Sequence, residues 1–242
     1  QAGEVVSFDA LTGAVNWKAN LGVEISAGPG IGDTLLVVGG PEGKVIALDI
    51  DSGTVLWETD VTSEVLSPPV IDRNKVVVRT QDGRVYGFSI QTGKREWTFD
   101  TNIPNLTIRG NSKPIAKGGR IYIGFDNGKV AALNIMDGTV LWQQNVINSQ
   151  GKTEIDRIAD IDGDIVAVAT DLYLASAADK TMSIATESGR VLWSQNIGSV
   201  TGVTVSRRSL YLSDNQSIVH ELNRMDGSRG WSQEQLMNRN LT

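Results

Sequence analysis

The chain alternates short apolar runs with polar turn residues, and it does so with a long period. Blocks rich in branched aliphatics recur as Leu35 to Val38, Val45 to Ile50, Val76 to Val78, Val85 to Ile90, Ile121 to Phe125 and Val130 to Asn134. Each is too short for a helix and is bounded by glycine-bearing turns such as Pro41-Glu42-Gly43, Gln81-Asp82-Gly83 and Asp126-Asn127-Gly128. Runs of this length and composition predict β-strands joined by tight hairpins. No helix longer than a turn or two is expected.

A second pattern sets the period. The phrase glycine, three residues, tryptophan occurs six times, at Gly13–Trp17, Gly53–Trp57, Gly93–Trp97, Gly138–Trp142, Gly189–Trp193 and Gly227–Trp231, and it uses all 6 tryptophans. Successive tryptophans lie 40, 40, 45, 51 and 38 residues apart. An apolar residue stands five before each glycine: Phe8, Leu48, Phe88, Leu133, Ile184 or Leu222. A repeat of this length with four strands per unit predicts an all-β propeller of four-stranded antiparallel blades. The expected units are a partial blade 1–22, blades 23–61, 62–101, 102–146, 147–198 and 199–233, and the start of another at 234–242, within a single domain. The half and the stub together lack a strand of a regular blade, so a piece of a larger propeller is expected. Trp17, Trp57, Trp97, Trp142, Trp193 and Trp231, at one fixed place per unit, are expected to pack between blades rather than to line a ligand surface.

Composition narrows the function. With 28 acidic against 22 basic side chains the net charge is −6, which gives a polyanion no broad attraction and argues against nucleic acid. The absence of cysteine excludes disulfides, thiolate metal sites and cysteine nucleophiles. His220 is the single histidine and lies in the alternating strand Val219-His220-Glu221-Leu222, so no histidine-dependent triad is expected. Asp160-Ile161-Asp162-Gly163-Asp164 gathers three carboxylates, but an EF-hand loop needs glycine at its sixth position, where Ile165 stands. No metal or cofactor is expected.

Surplus length falls at the front of two units. Ile103-Pro104-Asn105-Leu106-Thr107-Ile108-Arg109-Gly110 sets apolar side chains beside an arginine, the combination that dominates protein interfaces, although the same side chains could serve as loop cover. The segment from Asn148 through Asp164 is longer and acidic at its end. Long insertions between strands invite a functional reading.

Pro104 to Gly110 and Thr153-Glu154-Ile155-Asp156-Arg157-Ile158-Ala159-Asp160-Ile161-Asp162, set among Asp-x-x-x-Gly-x-x-x-Trp repeats such as Asp9 to Trp17 and Asp49 to Trp57, resemble the BamB family. These are propeller lipoproteins of the bacterial outer-membrane β-barrel assembly (BAM) machinery. The resemblance runs through essentially the whole chain. It implies a non-enzymatic scaffold at the periplasmic face of the outer membrane, bound to the POTRA domains of BamA, with unfolded barrel precursors as a second partner. It also implies eight blades and a lipid-bearing N-terminal cysteine, so the chain would be an internal part, with membrane association only through an anchor it does not contain. In the family the arginine loop and the acidic loop make the contact. The matching positions are Leu106, Ile108 and Arg109, with Asp160 and Asp162; Ile108 stands where a leucine is usual. The repeats alone are shared with pyrroloquinoline-quinone dehydrogenases, the alternative from another class, although the adjacent-cysteine disulfide of some of them cannot be encoded here. A generic propeller adaptor is the third reading.

Overall fold

Branched aliphatic runs between tight turns pair with their sequence neighbours, because a hairpin needs only two to five connecting residues to bring antiparallel strands together. In the computed structural model, which describes residues 3–101, 112–125, 127–146, 161, 163–177 and 179–237, this produces one two-stranded and five four-stranded antiparallel sheets. The fold is a β-propeller of four-stranded blades.

The chain divides into two compact units. The first comprises Gln1–Thr101 with Ile135–Gly138. Its hairpin of β1 (Glu4–Phe8) and β2 (Val15–Asn20) is followed by the sheet β3 (Ala27–Ile31), β4 (Leu35–Gly39), β5 (Lys44–Asp49) and β6 (Val55–Asp60). The next sheet is β7 (Val70–Asp72), β8 (Lys75–Arg79), β9 (Val85–Ser89) and β10 (Arg95–Phe99). Two cores hold it. Leu36, Val38, Ile46 and Leu48 pack on Val5, Trp17 and Ala19 of the hairpin, and the opposite face of the same sheet places Val37, Val45 and Ala47 against Val76, Val78, Tyr86 and Phe88.

The second unit comprises Asn102–Asn134 with Thr139–Thr242. It holds the sheet β11 (Ile115–Lys117), β12 (Arg120–Gly124), β13 (Lys129–Asn134) and β14 (Val140–Asn145), then β15 (Val166–Val168), β16 (Asp171–Ala175), β17 (Thr181–Ala185) and β18 (Val191–Gln195). The last sheet is β19 (Thr204–Val205), β20 (Ser209–Ser213), β21 (Val219–Asn223) and β22 (Arg229–Gln233). Tyr122, Val130, Ala132 and Trp142 pack against Leu172, Leu174, Met182 and Ile184. Tyr173, Ala175 and Trp193 pack against Leu210, Leu212 and Leu222.

In the first unit the second and third strands of each four-stranded sheet are covered on both faces, which is why β4 and β8 are buried throughout and Leu35 to Val38 and Val76 to Val78 read as continuous apolar runs. The fourth strand alternates, as in β14, where Trp142 is buried while Val140 and Leu141 are half exposed. First strands of neighbouring sheets adjoin within each unit, β3 with β7, and β11 with β15 and β15 with β19.

Candidate functional site

Leu106, Ile108, Arg109, Asp160 and Asp162 lie outside the described residues. The points from which their segments spring are within them. Ser112, the first described residue after segment 102–111, is fully buried. Ile161, between Asp160 and Asp162, is also fully buried, in the core formed by Tyr122, Val130, Trp142 and Leu172. The two meet at one residue. A Cβ placed on Gly124, the last residue of β12, would lie 2.7 Å from Cγ2 of Ile161 and 3.1 Å from Oγ of Ser112. Only a glycine leaves room for both.

The acidic segment is fixed again immediately downstream. A Cβ on Gly163 would lie 2.2 Å from Cα of Gly202, and Asp164 forms a parallel bridge with Gly202. Ile165, 3% exposed, then returns to the core that holds Ile161. By its composition Asp160 to Asp164 reads as an acidic loop, whereas Ile161 and Ile165, within and just after it, are core residues. Backbone contact through glycines at 124, 163 and 202 is not legible in the sequence, since a glycine in a polar run is ordinarily a turn.

The tryptophans join successive repeats. The indole N–H groups donate to main-chain carbonyls in the next repeat's turn: Trp17 to Ile50 at 3.0 Å, Trp57 to Ile90 at 2.8 Å, Trp97 to Ile135 at 3.1 Å, Trp142 to Thr186 at 2.9 Å and Trp193 to Arg224 at 3.0 Å. The ring lies on the glycine three residues beyond each acceptor, namely Gly53, Gly93, Gly138, Gly189 and Gly227. The aspartates ahead of the turns set their shape. Asp49 accepts hydrogen bonds from the N–H groups of Asp51 and Ser52 and from the Ser52 hydroxyl, and these, the hydroxyl first, hold its carboxyl below the ordinary value. Trp231 departs from the expectation of burial between blades. It is 49% exposed and makes a tilted ring contact with Tyr211 at 6.0 Å; among the described residues no later turn of this kind covers it.

His220 is held by two side chains. Its Nε2 is 2.8 Å from Oδ2 of Asp214, and its Nδ1 is 2.9 Å from Oγ of Ser232. Asp214 accepts two further bonds, from the N–H groups of Gln216 and Ile218, each 2.9 Å. Burial pushes the Asp214 carboxyl up, but the bonds from His220 and those two N–H groups outweigh it, and the carboxyl sits below its usual value. The partners are a turn residue and a residue of the next strand, so a search around the histidine's own strand misses them.

Known proteins share this architecture. A BamB assembly factor of Kangiella koreensis is 38% identical over 144 residues, which cover 60% of this chain and 37% of that one. The chain therefore spans little more than a third of that relative's length in the matched segment. The crystal structure of BamB from Moraxella catarrhalis superposes over 98% of this chain and 72% of its own, with a TM-score of 0.91 and 31% identity. A europium-containing methanol dehydrogenase superposes over 86% of this chain and 51% of its own, with a TM-score of 0.72 at 14% identity, a likeness of fold alone. Residues 1–233 match the family described as outer membrane protein assembly factor BamB, and the chain belongs to that family.

Proposed function

We propose that this chain serves outer-membrane protein assembly as a scaffold, using the loop with Leu106, Ile108 and Arg109 and the loop with Asp160 and Asp162 to dock on the POTRA domains of BamA at the periplasmic face of the outer membrane. The observation that carries the reading is the shared footing at Gly124. Ser112 and Ile161 both stand beside Gly124, and in sequence they are three positions from Arg109 and one position from Asp160 and Asp162 respectively. A visitor that uses both would bury Leu106 and Ile108 for desolvated contact, with Arg109, Asp160 and Asp162 supplying orientation and partner choice. Family membership supports the assignment to this machinery.

The test is a titration of the chain with purified POTRA domains. Arg109→Glu is expected to abolish binding while leaving the far-UV spectrum and the melting transition intact. Unchanged affinity would remove that segment from the interface.

A further inference from the structure

The four complete blades before the last carry a buried apolar residue at one register position of the third strand, and the last blade does not. Val38 pairs with Ile46, Val78 with Tyr86, Ile123 with Ala131 and Leu174 with Met182, whereas Leu212 pairs with His220. Ile46, Tyr86, Ala131 and Met182 are each at most 4% exposed. The His220 side chain is 12% exposed and finds polar partners for its two ring nitrogens in Asp214 and Ser232.

The order of those partners has a chemical consequence. Asp214 is acceptor-only when ionised, so Nε2 must carry the proton it receives. In the neutral imidazole Nδ1 is then the bare nitrogen, and the Ser232 hydroxyl donates the 2.9 Å bond to it. A serine whose proton is already committed to an imidazole, with a fixed carboxylate behind that imidazole, is the arrangement that activates a hydroxyl for attack. The ring nitrogens are used in the opposite order from the serine proteases, which the roles of the three groups permit.

Room for a ligand adjoins it. A cavity of about 320 Å³ lies between the sheets β15–β18 and β19–β22, with His220, Arg229, Asp179, Asn196, Ile197 and Asn215 among its lining residues. Ser232 is the cross-strand partner of His220; His220 lines the cavity and Ser232 stands next to it rather than in its lining. Arg229 puts a guanidinium on the same cavity, suited to an oxyanion or an acidic acyl group.

We propose that Ser232 is an activated nucleophile that accepts an acyl group from small esters. Its Oγ adds to the carbonyl carbon while the hydroxyl proton passes to Nδ1 of His220. The bond from that carbon to the leaving alcohol's oxygen breaks, and the alcohol departs with the proton. The product is acyl-Ser232 with a neutral imidazole.

The test treats the chain with a fluorophosphonate and, separately, with p-nitrophenyl acetate, and locates adducts by mass spectrometry. Ser188, exposed and without a histidine, is the internal reference. Ser232 is expected to react roughly 100-fold faster than Ser188, and His220→Gln and Asp214→Asn to remove that advantage. Ser232→Ala, which deletes one exposed oxygen and leaves the blade folded, is expected to lose the adduct while keeping the melting temperature. Equal labelling of Ser232 and Ser188, or undiminished labelling in a folded His220→Gln protein, would overturn the proposal and leave the cluster a packing device.

Discussion

Gly93 supports the indole of Trp57 from the following repeat: a Cβ on Gly93 would lie 2.5 Å from Cε3 of that ring, and Gly93 itself sits at φ +66°. Two constraints fall on one residue. A side chain here would meet the left-handed backbone penalty of about 1–2 kcal/mol and would also displace a ring whose N–H is held by Ile90.

Gly13 separates the two, since it has φ +71° and nothing lies within 4 Å of the point where a Cβ would stand. Gly13→Ala is expected to lower stability by about 1 kcal/mol from the backbone alone. Gly93→Ala is expected to lose a further ~1–3 kcal/mol through overpacking against the ring. Urea unfolding of the two variants measures the difference. Equal losses would mean that the indole yields without resistance.

Truncating the ring tests the same joint from the other side. Trp142 is 8% exposed and Trp231 is 49% exposed. Trp142→Ala should destabilise by ~3–5 kcal/mol, the range for deleting a buried aromatic. Trp231→Ala should change stability by less than about 1 kcal/mol, as for a surface substitution. A loss below ~1 kcal/mol for Trp142→Ala would contradict a joint held by indoles.

Much of this architecture is written locally. Hairpin turns announce themselves because two strands and their turn lie within one stretch of sequence, and the tryptophan phrase marks the blade period. Partners in other repeats leave no such trace. That Trp57 rests on Gly93, or that Gly163 touches Gly202, follows only from how sheets stack. Turn chemistry also misleads where the backbone overrides residue preference. The turn after β20 lacks glycine, yet Ser217 takes φ +65°, the conformation that Gly43 and Gly83 adopt at +78° and +80°. The hydrogen bonds at His220 and the footing at Gly124 stay hidden for the same reason as the stacking. Each joins residues that the chain separates by at least a turn or a strand.

Tyr173 gives the fold an alkaline signature. Burial, then its hydrogen bond to Asp171 and that carboxylate's charge, push the phenol up to about 12. Folding therefore favours the neutral phenol. Its contribution is complete below the unfolded value near 10 and is lost as pH rises through about 12. The urea midpoint is expected to fall across that window, and Tyr173→Phe to flatten the fall. An identical alkaline decline in both proteins would assign it to other groups.

Gly124 offers the most direct link between packing and the proposed docking role. A Cβ there would lie 2.7 Å from Cγ2 and 2.9 Å from Cβ of Ile161, besides its approach to Ser112. Gly124→Val must therefore push apart the two points from which the docking segments spring, at a stability cost of about 1–3 kcal/mol. If both segments meet one visitor, separating their feet spoils the shared geometry, and POTRA affinity should weaken by roughly tenfold, about 1.4 kcal/mol. Gly13→Ala is the control, because it lowers stability without touching Ser112 or Ile161 and should bind as the parent does. Should Gly124→Val fold and bind with unaltered affinity, the footing would be a matter of packing, and the two segments would act independently of each other.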